Sequence, residues 1–189
     1  MSFVFLAVLV LVGLWAIGAY NKLIALKNDV VNAWKQIDVQ LKRRHDLVPN
    51  LVNAVKGAMD FERGTLEAVI AARNKAVAAQ GVGAVARAEG ELTQALGRLF
   101  ALSENYPQLR ATANIQQLQE ELTSTENRIG FARQLYNDKA TEYNTRQMQF
   151  PWSLLAGLAR AEPAELWEIE DAAERAAPRV DLSPDKPSA

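Results

Sequence analysis

Apolar residues recur at steps of three and four along most of the chain, and this spacing places them on one face of an α-helix. The first stripe comprises Leu23, Leu26, Val30, Ile37, Leu41, Val48, Leu51, Val55, Met59, Leu66 and Val69. Its phase continues across Pro49, which lies about 120° from the stripe centre, on the outer face. The pattern therefore predicts one bent but continuous helix over about residues 20–79, with Pro49 as its kink.

The C-terminal half predicts two further helices. Residues 80–90 are rich in Gly and Ala and lack a stripe, so we interpret them as the connection that reverses the chain. Leucines then predict a short helix over residues 91–105, and Pro107 breaks it, because the stripe that follows is rotated by about 180°. That last stripe predicts a helix over residues 108–149. Alternating β-branched runs are absent from the sequence, so we expect an all-α, antiparallel bundle of three to four helices.

The first 20 residues carry a different pattern. Residues 3–19 form an uncharged apolar run of 17 residues, which spans about 25 Å as a helix and reaches the short end of transmembrane lengths. A cleaved signal peptide and a buried helix are the alternatives, but no Lys or Arg precedes the run and the helical pattern continues beyond it. We therefore expect residues 1–20 to be an uncleaved, single-pass anchor in the lipid bilayer. Its anchor residues are Phe3, Leu11, Trp15 and Tyr20.

The composition changes after residue 160. Residues 161–189 gather acidic side chains and then prolines, and they lose long-range periodicity. Such a segment buries too little apolar surface to offset the entropy that ordering it would cost. The sequence therefore predicts a bundle domain over residues 21–160 and an acidic, largely disordered tail over residues 161–189.

Composition and charge argue against several classes of function. The chain has 21 basic and 22 acidic residues and a net charge of −1, whereas nucleic-acid-binding domains are usually strongly basic. It has no cysteine, which rules out thiol catalysis, disulfides and cysteine-ligated metals. The sequence also lacks a phosphate-binding glycine loop and a cluster of metal ligands. We therefore expect no nucleic-acid partner, no cofactor, no metal and no small-molecule substrate.

His45 is the only histidine, and it lies in a run of charged residues. A general base needs a second group to orient it, but the side chain of the adjacent Asp46 points about 100° away on a helix. The positions three and four residues from His45 hold Leu, Lys, Val and Pro, none of which completes a catalytic dyad or a metal site. We interpret His45 as a boundary or surface side chain and expect the protein not to be an enzyme.

Arg44 is a charged residue that the helical pattern places in the core. It lies about 20° from the stripe centre, between Leu41 and Val48, where an unpaired charge would be costly. Glu126 occupies a comparable position on the predicted last helix. If the two helices run antiparallel, the two side chains lie level with each other. The pattern therefore predicts Arg44 and Glu126 as a structural pair that sets the register of the bundle.

Four segments, in collinear order, resemble the LemA family. They are "YNKLIALKNDVVNAWKQIDVQLKRRHDLVPNLVNAVKG", "ENYPQLRAT", "TENRIGFARQLYNDKATEYN" and "QFPWSLLAGLA". The resemblance covers about residues 1–160 and implies a bacterial membrane-associated protein, with an N-terminal hydrophobic segment followed by an antiparallel four-helix bundle. It implies no reaction, and it leaves open whether the first helix is continuous through Pro49.

Anchor and bundle together predict a non-enzymatic scaffold or adaptor in the inner membrane, which binds other membrane proteins or assembles with copies of itself. The alternative is an oligomeric membrane-shaping or envelope-stress component that engages lipid directly, through the apolar segment at residues 150–159. The side of the membrane stays open. Lys22 and Lys27 favour a cytoplasmic bundle by the positive-inside rule, whereas relatives with a lipoprotein cysteine, where this chain has Ala19, imply the opposite side.

Overall fold

The computed structural model describes residues 1–56, 63–106 and 112–168, and within these ranges it contains helices and no strands. The helices are α1 (Ser2–Lys56), α2 (Arg63–Ala78), α3 (Val82–Ser103), α4 (Ala113–Met148) and α5 (Ser153–Ala156). The protein is thus all-α, with a long N-terminal apolar helix that continues into a helical bundle, as the sequence predicted. The break predicted at Pro107 lies outside the described residues.

α1 runs without interruption from the apolar N-terminal run into the bundle. Its 55 residues span about 80 Å. Pro49 lies inside α1 on an exposed face, so the buried stripe passes it and continues from Val48 to Leu51. The structure therefore confirms that this helix is continuous through Pro49.

The predicted continuation of the first helix to residue 79 is wrong. The Nε of Arg73 in α2 donates a hydrogen bond of 3.3 Å to the carbonyl oxygen of His45 in α1. In a straight helix these two residues, 28 positions apart, would be separated by about 42 Å. α2 therefore packs back against α1 instead of continuing it. The stripe gave no sign of this because its phase reports which face is buried, and α1 and α2 bury their faces in the same core.

The predicted connection over residues 80–90 is also wrong. Only residues 79–81 join α2 to α3, and Gly81 has a φ of 83°, a left-handed conformation that glycine adopts at little cost. α3 then buries Val85, Ala88 and Leu92 at helical spacing. Part of the buried face of this hairpin consists of alanines, such as Ala76 and Ala88, which a search for bulky apolar residues overlooks.

The longest packing contact is the antiparallel pair of α1 and α4. α4 corresponds to the helix predicted over residues 108–149, but it begins at Ala113, after Thr112 in an extended conformation. The core has two clusters along this pair. The proximal core, nearer to the N-terminal run, is centred on Leu23, Leu26, Ile37, Ile129 and Tyr143. The distal core includes the α2–α3 hairpin and is centred on Val48, Leu51, Val69, Leu92 and Leu99.

Residues 161–168 pack against the bundle, and we call this segment the C-terminal strap. The side-chain amide of Asn144 exchanges two hydrogen bonds of 2.8 Å with the backbone of Ala164. Asn137 does the same with the backbone of Trp167, at 2.8 and 3.0 Å. The ordered unit therefore extends beyond residue 160, where the sequence predicted that a disordered tail begins. The rest of the predicted tail, residues 169–189, lies outside the described residues.

Trp167 accounts for this difference. Its side chain is buried in the proximal core, with the ring centroid of Trp34 at 6.0 Å and the guanidinium of Arg133 at 5.6 Å. The carboxylate of Glu165 accepts a hydrogen bond of 3.2 Å from the backbone N–H of Gly83, in the first turn of α3. One large aromatic residue and a set of backbone hydrogen bonds thus order a segment whose average composition resembles that of a disordered chain.

Candidate functional sites

A buried ion network lies where α1 crosses α3 and α4. Arg44 is 3% exposed, and its Nη1 lies 3.2 Å from Glu89 Oε2 and 3.0 Å from Glu126 Oε2. Its Nη2 donates to the hydroxyl of Thr93 at 2.8 Å. The guanidinium therefore meets two carboxylates and a hydroxyl, which compensates the cost of removing its charge from water.

His45 extends this network toward α2. Its Nε2 lies 2.6 Å from Glu89 Oε1, so the two oxygens of Glu89 are shared between His45 and Arg44. The backbone carbonyl of His45 accepts the hydrogen bond from Arg73. Four helices are thus joined around two consecutive residues of α1.

The structure brings the predicted residues Arg44 and Glu126 together, but it assigns the deeper position to an acid that the sequence reading missed. Glu89 is 3% exposed, whereas the side chain of Glu126 is 36% exposed. Glu89 was overlooked because it falls in the segment interpreted as a connection. A signal was nevertheless present, since Glu89 follows Val85 by four residues and precedes Leu92 by three, which places it on the buried face of a helix.

The geometry of this network suits cohesion between the four helices. A carboxylate does orient His45, contrary to the interpretation of His45 as a boundary side chain without such a partner. However, this carboxylate, that of Glu89, is also bound by Arg44. The backbone carbonyl of Glu89 accepts a hydrogen bond of 3.0 Å from the hydroxyl of Thr93. A cavity of about 610 Å³ between α2 and α3 is lined by other residues, among them Lys75, Glu91 and Arg98. Within the described part of the chain no cluster of three metal-ligating side chains occurs.

The outward face of α1 beside this network is a solvated ion-pair surface. Lys42 Nζ donates to Asp46 Oδ2 at 2.9 Å, one helical turn away. This hydrogen bond, with the positive charge that Lys42 carries, lowers the pKa of the Asp46 carboxyl from its ordinary value of 3.8. The basic run therefore divides by helical angle, with Lys42 in solvent and Arg44 in the core.

The N-terminal run is a second candidate site, of a different kind. Among the described residues α1 is the one helix long and apolar enough to cross a membrane, with a mean hydropathy of 2.5 over its best 18-residue window. The side chains of Phe3, Leu11, Trp15 and Tyr20 are all exposed. The described protein covers little of this apolar surface, since only 6% of the 18-residue window is buried, and a lipid bilayer is the environment that such a surface fits.

An apolar collar, residues 148–158, lies against the end of this run. The ring centroid of Trp152 is 6.3 Å from that of Trp15, in an edge-on arrangement. The guanidinium of Arg146 lies 4.8 Å from the centroid of the Trp152 ring. The collar exposes four large apolar side chains, which are Met148, Phe150, Leu154 and Leu158.

The sequence is similar to known proteins. The sequence pattern of the LemA family matches residues 33–182. The chain is 25% identical over 179 residues to Magnetosome protein MamQ 1 and to Magnetosome protein MamQ 2 of Paramagnetospirillum magneticum, covering 81% of this chain and 66% of each relative. It is 26% identical over 172 residues to Magnetosome protein MamQ of Magnetospirillum gryphiswaldense, covering 76% of this chain and 63% of the relative. The chain thus spans about two thirds of the length of these relatives.

Proposed function

Because the chain belongs to the LemA family, we propose that it is a non-enzymatic scaffold or adaptor of the bacterial envelope, which binds protein partners or copies of itself. The chain is a membrane-associated helical protein. We propose further that its membrane is the inner membrane and that its role there is that of a scaffold.

The observation that carries the proposal is the continuity of α1. One helix contains both the exposed apolar run and the side chains that centre the proximal and distal cores. A flexible linker would let the bundle rotate freely above the membrane, whereas a continuous helix whose bundle part packs on α4 fixes the direction in which the bundle points. A fixed orientation is what a protein needs to present one surface repeatedly to partners in the same membrane.

A second candidate function is an oligomeric membrane-shaping or envelope-stress component that engages lipid directly. The observation that favours it is the exposed apolar collar beside Trp15. This function requires a lipid contact outside the anchor, whereas the scaffold function does not.

Chemical crosslinking of the full chain in native membranes tests the scaffold proposal. We expect species larger than the monomer, with either a second copy or other membrane proteins identified in them by mass spectrometry. The control is the same reaction after the membranes are dissolved in a denaturing detergent, which separates copies that were held by folded contacts. A chain that remains strictly monomeric in the membrane would contradict the proposal.

A further inference from the structure

The apolar collar points to a second contact with the bilayer. We propose that residues 148–158 insert into the interfacial layer of the same membrane that α1 crosses, so that the bundle rests in the lipid surface rather than above it. This inference relies on the proposed membrane anchor, but it does not depend on which partners the bundle binds.

The first argument is the depth of Trp15. A helix needs about 20 residues to cross the hydrocarbon core of a bilayer, about 30 Å thick. A span that begins at Phe3 therefore ends near Lys22, the first charged residue after the run. Trp15 lies seven residues before Lys22, which corresponds to about 10 Å along the helix on the lipid side of that boundary. Because Trp152 touches Trp15, the collar reaches below the level at which the span ends.

The second argument is the chemistry of the collar surface. Phe150 is 78% exposed, Leu154 is 68% exposed and Leu158 is 75% exposed, although these residues adjoin a well-packed core. Ala156, between Leu154 and Leu158, and Ala159, directly after the collar, pack inward against the proximal core. The segment therefore has one face directed to the protein and one apolar face directed outward, the arrangement of an interfacial amphipathic element.

The third argument is the position of the basic groups. The guanidinium of Arg146 stacks on Trp152 from the side of α4, and the Nζ of Lys27 donates to the carbonyl oxygen of Arg160 at 3.2 Å. Arg146 and Arg160 thus flank the collar, and Lys22 is exposed on α1. Lys22 and Lys27 lie 7 and 12 residues after Trp15 on α1, so these basic groups stand on the bundle side of the two tryptophans. This order, with aromatic rings deeper and long basic side chains nearer to water, is typical of the boundary between acyl chains and phosphate head groups.

Lipid is a better occupant for this face than a soluble protein partner. The face continues directly into the exposed apolar surface of the anchor through the contact between Trp15 and Trp152. A soluble partner that covered the collar would have to enter the same layer as the anchor. The bilayer covers both surfaces without any additional molecule.

The absence of cysteine from the chain allows a direct test with single labels. The full-length variants Leu154→Cys and Leu158→Cys are labelled with an environment-sensitive fluorophore and reconstituted into nanodiscs of phosphatidylcholine and phosphatidylglycerol. Doxyl groups on the lipid acyl chains serve as quenchers from within the bilayer, and iodide serves as the quencher from water. We expect labels at both collar positions to show blue-shifted emission, several-fold stronger quenching by doxyl lipid and weak quenching by iodide.

Phe131→Cys is the matched control, because Phe131 is an equally exposed apolar residue, at 74%, but lies 17 residues before Met148 on α4. Its label should be quenched by iodide and not by lipid. Collar labels that behave like the label at Phe131 would overturn the inference. Collar labels shielded from both quenchers would overturn it too, since protein rather than lipid would then cover the face.

A label at Leu11 separates this inference from the proposal on which it relies. If lipid quenches the label in the Leu11→Cys variant but not the labels at Leu154 and Leu158, the anchor stands and the collar proposal fails. If lipid does not quench the label at Leu11 either, the membrane anchor itself is wrong. Thermal unfolding of each labelled variant verifies that the bundle is intact in every comparison.

Discussion

At the scale of single residues, Arg44 is held by two acids that differ in burial. Glu89 is enclosed and shares its oxygens between Arg44 and His45, whereas Glu126 reaches Arg44 from the edge of the core. Coulomb attraction between charges is strong where water is excluded and weak where solvent screens it. The two acids should therefore contribute unequally, although both lie within 3.2 Å of the same guanidinium nitrogen.

We predict that Glu89→Ala lowers the free energy of unfolding by about 3–5 kcal/mol, because it leaves the buried Arg44 without its enclosed partner. Glu126→Ala should cost about 1 kcal/mol or less, since its carboxylate is partly solvated. Chemical unfolding of the two variants in matched detergent micelles, followed by circular dichroism, provides the comparison. Equal losses for the two variants would show that burial does not separate the roles of the acids.

At the scale of elements, Pro49 is coupled to the docking of α2. Proline has no N–H, so the carbonyl of His45, four residues earlier, lacks its usual partner within α1. Arg73 of α2 donates its Nε to this oxygen. The position where α1 loses a hydrogen bond is thus the position where α2 attaches. The sequence reading placed Pro49 on the outer face but had no means to find Arg73, because it treated the two segments as one helix.

This coupling predicts a non-additive pair of substitutions. Arg73→Met should cost about 1–2 kcal/mol in the native chain, since it leaves a carbonyl without a partner. In the Pro49→Ala background the cost should be smaller, because the alanine N–H satisfies the same carbonyl within α1. A double-mutant cycle on the free energy of unfolding measures the difference. Additive effects would mean that the contribution of the hydrogen bond between Arg73 and His45 does not depend on Pro49.

At the scale of the whole molecule, the C-terminal strap ties α1, α3 and α4 together at a second place, apart from the Arg44 network. It bonds to α4 through Asn137 and Asn144, it buries Trp167 beside Trp34 of α1, and its Glu165 carboxylate meets the first turn of α3. The strap thus covers the proximal core on the side that faces the turn between α2 and α3. The collar and the strap follow each other in sequence, so the proposed lipid contact and the closure of the bundle lie on one stretch of chain.

We predict that Trp167→Ala destabilises the protein by about 3–5 kcal/mol, because it removes a large aromatic group from the core. It should also increase amide hydrogen exchange across residues 161–168. Leu166→Ala is the matched control, since the neighbouring Leu166 is partly exposed, at 37%, and should cost far less. Unchanged hydrogen exchange in the Trp167→Ala variant would show that the backbone hydrogen bonds hold the strap without the indole ring.

The sequence by itself determined the helical class, the apolar run and the buried face of each helix, because these depend on local spacing and composition. It also brought Arg44 and Glu126 to one level, since the length of two antiparallel helices fixes their register. Only the tertiary structure decided where the chain reverses, that Glu89 is the enclosed acid, that Trp167 orders the strap and that Trp152 reaches Trp15. Each of these depends on contacts between residues far apart in the chain, and a stripe of apolar residues reports that a face is covered without reporting what covers it.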